Sequence, residues 1–573
     1  MNSDKTKGIG AKRSYLPWLV MGLLLLMLVF LNAFYLENWL DSDMAAEMMF
    51  SRLLAKEGHI FASKNWFYST EFRFLYTQLV MGPLFRILSN WHLIRLITNV
   101  IFYTLMLASY FYMCKPLSVD ENKKVWCGCA LLLPFSETMM LHMHMGNTYI
   151  SHVIICFLIV GMFLRISGNM QSDMSGDRNE KESAKKIAKG GTKESAKKIA
   201  KGGTKESKMW VATILCYVVL SVICGVSGVR YMLALQCPLF LAAVWYTLRE
   251  ESFHQFRLHT DRKDLKALWT GKSGAYIKTA LLGMVCGVIG YGINVTYVSK
   301  TYIFQTYEST NFIDIYQGVL LERIQDAFGS IMMLFGYIPG KSVLSLRGIV
   351  TMIAFALVGL ILFLVIRTRK TKKPEHRFLI FFLASSFFLN TFVFVFTNST
   401  LVPRYYITTL IFVIPVAAIY FTEESVTFDK RVVAVMLAVC LIVATGKTSL
   451  SMITVDKNRE KREAAQFLVE QGYDFGYATY WNGNIMQELS DGALQLANIS
   501  DPEEFAFFKW SSESAYYEPD YANGKVFLLL SEEEYQEYRN AKVLSAGEEI
   551  YHQNGFVIFG YESNEMLLSV AQG

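Results

Sequence analysis

The chain contains eleven apolar blocks, and each is long enough to cross a lipid bilayer as one helix. A spanning helix needs about 20 mainly apolar residues. Because lipid cannot hydrogen-bond an exposed backbone, such blocks form helices that pack against each other. The pattern predicts an all-α membrane part and excludes a free globular enzyme. The predicted spans are residues 15–35, 92–114, 125–141, 148–166, 209–227, 231–248, 275–297, 347–367, 378–397, 404–421 and 432–447.

Lysine and arginine are concentrated in alternate connections between these blocks. With the N-terminus inside, the inner segments carry about thirty basic residues and the outer loops about ten, which is the bias of cytoplasmic loops. The sequence therefore predicts a cytoplasmic N-terminus and, after eleven spans, a C-terminus outside. The inner connection 169–208 repeats KESAKKIAKGGT in tandem. We interpret it as a solvated linker that contacts at most the lipid headgroups.

Two regions follow from these patterns. Residues 1–447 form a multi-spanning membrane domain with an outer juxtamembrane loop at 37–91. Residues 456–573 are acidic, and they alternate helical patterns with apolar strands at 525–530 and 555–561. That alternation predicts a small extracytoplasmic α/β domain.

The motif Asp41-Ser-Asp43 lies immediately after the first span. One interpretation is a helix N-cap, since Asp at a helix start accepts from backbone amides. The other is a pair of carboxylates that act on a substrate or share a Mg²⁺ or Mn²⁺ ion. Two amphipathic stretches follow, 44–57 and 71–88, with the aromatic cluster 65–68 between them. A loop of this kind lies on a membrane surface.

This arrangement resembles the GT-C superfamily of integral membrane glycosyltransferases, which includes protein mannosyltransferases, aminoarabinose transferases and oligosaccharyltransferases. Members place an acidic residue or pair just after the first span and follow it with juxtamembrane helices; many end in an extracytoplasmic domain. The matching features are Asp41, Asp43, the two amphipathic stretches and the final domain. The resemblance implies a bacterial plasma membrane enzyme that uses a polyprenyl-phosphate sugar and inverts the anomeric centre. The acceptor would be a cell-surface glycan, lipid or protein.

The resemblance also implies roles for residues at the predicted outer surface. Asp43 or Asp41 would take the proton of the acceptor hydroxyl, with no cofactor required and a divalent cation between them allowed. Two Arg-Tyr pairs at outer span ends, Arg404-Tyr405 and Arg230-Tyr231, would bind the donor phosphate. The alternative is that these pairs only anchor the spans at the interface.

Several other residues are candidates for substrate contact. Three polar residues of a short outer loop could bind metal or sugar, or simply end a helix. Glu71 could contact the acceptor or pair locally with Arg73. An aromatic residue of the final domain could stack on an acceptor sugar or pack the domain core. These loop and domain residues are His142, His144, Asn147 and Trp481.

Two other functions fit a polytopic protein. A transporter or lipid flippase would carry charged residues near the middle of its spans, and these are nearly absent here. A non-catalytic envelope assembly factor or sensor would not need Asp41, Asp43 and Arg404 to meet in one cavity. A nucleic-acid partner is not expected, because the basic charge lies in a linker without interleaved aromatic residues.

Overall fold

The computed structural model describes residues 14–146, 148–174, 193–250, 269, 273–305, 310–315, 318–340, 342, 344–423 and 428–572. It is a bundle of long apolar helices with a small α/β domain, as predicted. The first elements are α1 (Leu16–Tyr35), α2 (Ser42–Glu57), β1 (Trp66–Tyr68), α3 (Gln78–Phe85), α4 (Trp91–Cys114), α5 (Glu121–Gly128), α6 (Glu137–Met139) and α7 (Ile150–Met174). The later bundle helices include Lys193–Val226, Cys237–Glu250, Gly274–Ile293, Leu320–Leu334, Leu346–Thr368, Pro374–Phe396, Val413–Thr422 and Lys430–Thr454.

Ten helices of the described residues are long and apolar enough to cross a membrane, and a bent pair makes a further candidate. The pair joins Glu121–Leu132 to Glu137–Met145 at 90° and replaces the straight helix predicted at 125–141. Pro134 lies in the break, where it has no amide hydrogen to donate. The Ser136 hydroxyl then accepts from the amide of Met139 at 3.1 Å and begins the second helix.

The bundle carries the α/β domain at one end, which we call the domain side. The chain leaves α1 on this side, because the Asn458 side chain donates to the carbonyls of Glu37 and Leu40 at 2.7 and 2.9 Å. The last span ends at Thr454, just before that asparagine. Since every crossing changes sides, the number of crossings is odd, and the bent pair crosses as one span. Over the described residues this gives eleven candidate crossings, and which side faces the cytoplasm stays a prediction.

The α/β domain is built on a five-stranded sheet in the order β4-β3-β6-β8-β7. β3 is parallel to β4 and β6, whereas β8 is antiparallel to β6 and β7. β6 and β8 correspond to the two predicted strands. The remaining strands and the domain helices are β2 (Ile303–Phe304), β3 (Phe475–Thr479), β4 (Gln495–Ile499), β5 (Ser512–Glu513), β6 (Val526–Ser531), β7 (Glu548–Gln553), β8 (Phe556–Tyr561), Arg459–Glu470, Tyr480–Leu489, Glu532–Tyr538, Lys542–Ala546 and Asn564–Gln572.

A second, three-stranded sheet joins distant parts of the chain on the domain side. Its order is β2-β1-β5, with β1 in the loop after α1 and β5 in the α/β domain. Phe67 in β1 pairs with Ile303 on one side and with Ser512 on the other. Apolar side chains of α2 and β1 also share one hydrophobic cluster with β3 and β6. The domain is therefore packed onto the juxtamembrane loop rather than tethered beside it.

The predicted second amphipathic helix, 71–88, is only partly helical. Its helical part is α3, whereas the residues before Gln78 are not helical and bend at 74–76. The amide of Phe72 donates to the carbonyl of Ser227 at 3.3 Å, which bonds this stretch to the loop before the Met232–Gln236 helical turn. This irregular stretch brings Glu71 and Arg73 into a cavity wall shared with α2.

Candidate active site

The two carboxylates of the Asp-Ser-Asp motif have different surroundings. Asp41 is the N-cap of α2 and accepts from the amide of Met44 at 2.9 Å. Burial and the neighbouring Asp43 raise the pKa of Asp41 to about 6. Asp43 lies in the first turn of α2, and its side chain lines a cavity on the domain side. Asp41 is thus the helix cap, and Asp43 is the carboxylate that can meet a substrate.

This cavity has a volume of about 240 Å³ and collects residues from five parts of the chain. One face of α2 forms a wall, with Asp43, Ala46, Glu47 and Phe50 at helical spacing. Glu71 and both predicted phosphate-binding arginines line the same space. The full lining is Asp43, Ala46, Glu47, Phe50, Trp66, Tyr68, Ser69, Thr70, Glu71, Arg73, Tyr76, Thr77, Gln78, Arg230, Arg404, Tyr405, Trp510 and Ser511.

Glu71 pairs mainly with an arginine far away in sequence. Its carboxylate contacts the Nε of Arg230, and it lies 3.8 Å from Nε2 of His152 and 4.0 Å from Nε of Arg73. Although burial acts to raise the pKa of Glu71, Arg230, His152 and Arg73 lower it to about 2. Glu71 is therefore charged at neutral pH and neutralises Arg230.

Glu47 is the buried partner of Arg73. Its carboxylate accepts from Arg73 at 2.9 Å and from the Thr77 hydroxyl at 3.1 Å. The guanidinium of Arg73 also lies 4.8 Å from the centre of the Tyr76 ring. Burial raises the pKa of Glu47 to about 7 despite the nearby arginine. Acidic and basic side chains thus alternate along the cavity wall, in the order Glu47, Arg73, Glu71 and Arg230.

Glu47→Gln is expected to flatten the pH dependence of stability. Because the pKa of folded Glu47 is about 7 against an ordinary 4.5, the folded state binds this proton more tightly than the unfolded chain. The stability that this difference in proton binding contributes is complete below about pH 4.5 and is lost as the pH rises through about 7. Thermal unfolding in nanodiscs between about pH 5 and 8 measures this slope. The exposed Glu460→Gln is the control, and equal slopes in both variants would contradict the expectation.

Arg404 and Tyr480 approach the two oxygens of Asp43 separately. The guanidinium of Arg404 lies 3.5 Å from Oδ2, whereas the Tyr480 hydroxyl donates to Oδ1 at 2.7 Å. Arg404 follows the Pro374–Phe396 helix in a short 3₁₀ turn, and Tyr480 begins a helix of the α/β domain. Both Arg404 and Tyr480 follow Asp43 by more than 350 positions in the chain, yet they meet at its carboxylate.

The guanidinium of Arg230 is placed by aromatic rings as well as by Glu71. It lies 5.4 Å from the ring centres of both Tyr149 and Tyr405, and it donates to the Tyr149 hydroxyl at 3.0 Å. Tyr405 itself stacks on Phe394 with ring centres 5.0 Å apart. The two arginines of the predicted Arg-Tyr pairs therefore line the same cavity, with Tyr405 beside Arg230.

Other predicted residues lie away from the cavity. Both histidines are buried, and His142 contacts the Thr148 hydroxyl at 2.7 Å. Tyr231 is buried and stacks on His152 with ring centres 5.1 Å apart. Trp481 is 60% exposed and is not part of the cavity wall. His144 contributes its backbone carbonyl to the Tyr103 hydroxyl, and Asn147 lies outside the described residues.

The side chains in the described part of the chain are not arranged as a metal site. Within it, no group of three or more His, Cys, Asp or Glu side chains is arranged to hold an ion. Of the two carboxylates, Asp41 caps a helix, and both oxygens of Asp43 have protein neighbours. The divalent cation between Asp41 and Asp43 stays a prediction, and no step below uses it.

Several cavity residues were not predicted as site residues. Glu47 was detectable, because it follows Asp43 by four residues on a helix face. Arg73 was assigned to a local pair with Glu71, yet its shortest carboxylate contact is to Glu47. In the sequence, Tyr480 and Trp510 stand out only as members of the aromatic segments of the final domain, and it is the packing of the α/β domain onto α2 that brings them here.

The fold is shared with a solved membrane protein. The chain is similar to ArnT from Cupriavidus metallidurans in its crystal structure bound to undecaprenyl phosphate, with a TM-score of 0.54 and 11% identity over 96% of this chain and 98% of that one. Against the apo structure of ArnT, the TM-score is 0.41 at 11% identity, over 97% and 99% of the two chains. No family model and no curated protein matches the sequence. The expected fold, a multi-spanning helical bundle with a small α/β domain, is thereby confirmed.

Proposed function

We propose that this chain is a membrane glycosyltransferase that moves a sugar from a polyprenyl-phosphate donor to an acceptor hydroxyl on the domain side, with inversion at the anomeric carbon. One observation carries the proposal: a carboxylate, Asp43, lines a single cavity with three arginines. That convergence is what an enzyme needs and what a sensor or assembly factor does not. The fold shared with ArnT, which was crystallised with undecaprenyl phosphate, supports the class of donor.

The proposed reaction is one displacement. The acceptor oxygen forms a bond to the anomeric carbon as the bond from that carbon to the phosphate oxygen breaks. The acceptor proton passes to the carboxylate of Asp43, which acts as general base. The leaving group departs as polyprenyl phosphate, and its charge is stabilised by arginine. Inversion follows, because the acceptor attacks the face opposite the phosphate.

The arginines differ in how fully their charge is compensated. Arg230 contacts Glu71, and Arg73 bonds Glu47 at 2.9 Å. The contact of Arg404 with Asp43 is longer, at 3.5 Å, and both side chains are about one-third exposed. A phosphate arriving in the cavity therefore replaces the weakest ion pair when it binds Arg404. We assign Arg404 as the main phosphate contact, with Arg230 as a second cation nearby.

An apolar cavity supports a donor with a long hydrocarbon chain. It has a volume of about 570 Å³ and is lined almost entirely by apolar side chains of the bundle. Ile407 and Leu410 line it, one turn or two beyond Arg404 on the same segment. Because lipid tails and this cavity wall are both apolar, a polyprenyl chain can pass from the bilayer into the cavity without an unfavourable transfer. Its phosphate would then lie near Arg404.

The proposal is tested with purified protein in nanodiscs and a panel of undecaprenyl phosphate sugars labelled in the sugar. Cell-envelope extract serves as the acceptor, and transfer of label to it is measured. The expected result is transfer from at least one member of the panel that depends on Asp43. Absence of transfer from every member, combined with no binding of undecaprenyl phosphate, would overturn the proposal.

Arg404→Gln is expected to weaken the binding of undecaprenyl phosphate by about tenfold to a hundredfold, because a charge-assisted hydrogen bond to phosphate is lost. Binding is measured by displacement of a fluorescent polyprenyl phosphate from nanodiscs. Arg86→Gln is the control, since Arg86 lies at the end of α3 outside the cavity wall and its partner is the carbonyl of His59. Equal affinity of the two variants would remove Arg404 from the phosphate site.

A further inference from the structure

The α/β domain places a hydroxyl directly on the proposed base. Tyr480 is the first residue of the helix Tyr480–Leu489, and only 7% of its surface is exposed. Its hydroxyl donates to Oδ1 of Asp43 at 2.7 Å. Its ring also makes edge contacts with Trp481 and Phe508, with centres 5.1 and 5.9 Å away. The tyrosine is therefore fixed by its own domain while it bonds a residue of the membrane part.

The other end of the same helix is bonded to the same region. Glu488 makes a two-pronged ion pair with Arg95 of α4, at 2.6 and 2.7 Å. Arg95 is fully buried, and it also donates to the carbonyl of Met44 at 2.9 Å. Met44 directly follows Asp43. One helix of the α/β domain is thus connected at both ends to the first turn of α2, which fixes the distance between Tyr480 and Asp43.

This contact makes the two oxygens of Asp43 different from each other. Oδ1 is occupied by the tyrosine, whereas Oδ2 lies 3.5 Å from Arg404, a residue of the cavity wall. A hydrogen bond to a carboxylate favours its charged form, which is the form a general base needs. Burial and the nearby Asp43 raise the pKa of Tyr480 well above its ordinary value, so the hydroxyl remains a donor.

We propose that Tyr480 is a positioning residue for Asp43, which directs Oδ2 to the acceptor hydroxyl and makes the α/β domain part of the active site. This inference rests on the proposed glycosyltransferase function. It differs from a domain that only recognises the acceptor, because the domain then takes part in the chemical step. The domain then contributes to transfer with any acceptor, and also to hydrolysis of the donor by water.

The variant Tyr480→Phe distinguishes a role of the domain in the chemical step from a role in acceptor recognition alone. We expect kcat for transfer from the best undecaprenyl phosphate sugar of the panel to fall by about tenfold to a hundredfold, the effect of losing one hydrogen bond to a charged group. KM for the donor and the affinity for undecaprenyl phosphate should stay unchanged. The acidic limb of the pH–rate profile should move to higher pH, because the carboxylate loses its donor. Hydrolysis of the donor by water should fall by the same factor.

Tyr561→Phe is the matched control. Tyr561 is buried in the same domain, but its hydroxyl donates to the carbonyl of Val543 at 2.8 Å and not to the membrane part. It should leave kcat and the pH profile unchanged. Tyr480→His retains a hydrogen-bond donor and should recover part of the rate. When Asp43 is already replaced by Asn, adding Tyr480→Phe should not lower the rate further. A wild-type kcat and pH profile for Tyr480→Phe would overturn the inference.

Different results would rule out the positioning role of Tyr480 and the proposed function. If Asp43→Asn is inactive while Tyr480→Phe behaves as wild type, only the positioning role is lost. If Asp43→Asn transfers sugar at the normal rate, Asp43 is not the base, and the mechanism and the positioning role are both wrong. If the wild type transfers no sugar from any donor of the panel and binds no undecaprenyl phosphate, the proposed function itself is wrong. If Tyr480→Phe and Tyr561→Phe lose kcat equally with no change in the pH profile, the tyrosine is structural and the inference fails.

Discussion

Asp43→Asn is expected to reduce sugar transfer by about a thousandfold, within the range that a general base contributes. The amide has nearly the same shape but cannot take the acceptor proton. Asp43 is the better candidate of the two carboxylates because it lines the cavity, whereas Asp41 bonds the amide of Met44. Initial rates with the labelled undecaprenyl phosphate sugar measure the effect.

Asp41→Asn is the control for that experiment. Asparagine caps a helix about as well as aspartate does, so α2 should keep its start. We expect transfer to fall by less than about tenfold, in agreement with a role in capping and orientation. If both asparagine variants keep full activity, the motif is only a helix start and the mechanism proposed here is wrong.

Glu488→Gln is expected to lower the free energy of unfolding by about 3–5 kcal/mol, the usual effect of breaking a buried ion pair from one side. The change leaves the guanidinium of Arg95 charged, fully buried and deprived of its carboxylate. Denaturant unfolding of the nanodisc-embedded protein measures the loss. The α/β domain should also become more sensitive to protease, because this pair joins it to α4.

The control for this prediction is an exposed ion pair in the same domain. Arg459 and Glu463 lie 3.0 Å apart, with side chains 76% and 40% exposed. Glu463→Gln should cost at most about 1 kcal/mol. The double variant Arg95→Met with Glu488→Leu should recover most of the stability, because no unpaired buried charge remains. An equal loss for Glu488→Gln and Glu463→Gln would contradict the buried pair as a major contact.

The membrane part could be predicted because lipid imposes a simple rule on the sequence. A block such as 15–35 has to be helical in a bilayer, and its length alone identifies it. The bend between Leu132 and Glu137 was missed, because the apolar character continues through the break while Pro134 interrupts the hydrogen bonding. Hydropathy therefore predicts that the chain crosses, but not the path that it takes.

Several residues of the cavity wall were selected from the sequence, but their ion-pair partners were not. Asp43, Arg404, Arg230 and Glu71 were each selected for chemical character at a predicted membrane edge, and all four line one space. The partner of each charge was harder to predict. Arg230 precedes its own span, yet its carboxylate partner lies about 160 positions earlier in the chain. Such pairs depend on how helices pack, and a single sequence does not encode that packing as a local pattern.

The three-stranded sheet β2-β1-β5 has a consequence for how the protein is made. Its first strand leaves the ribosome soon after α1, whereas Ser512 and Glu513 follow the last span. Trp510 and Ser511, which complete the cavity wall, belong to that final stretch as well. A nascent chain whose spans are all inserted therefore still lacks a finished cavity. Under the proposed function, it cannot act on a donor lipid until translation has ended and the last domain has folded back onto the first loop.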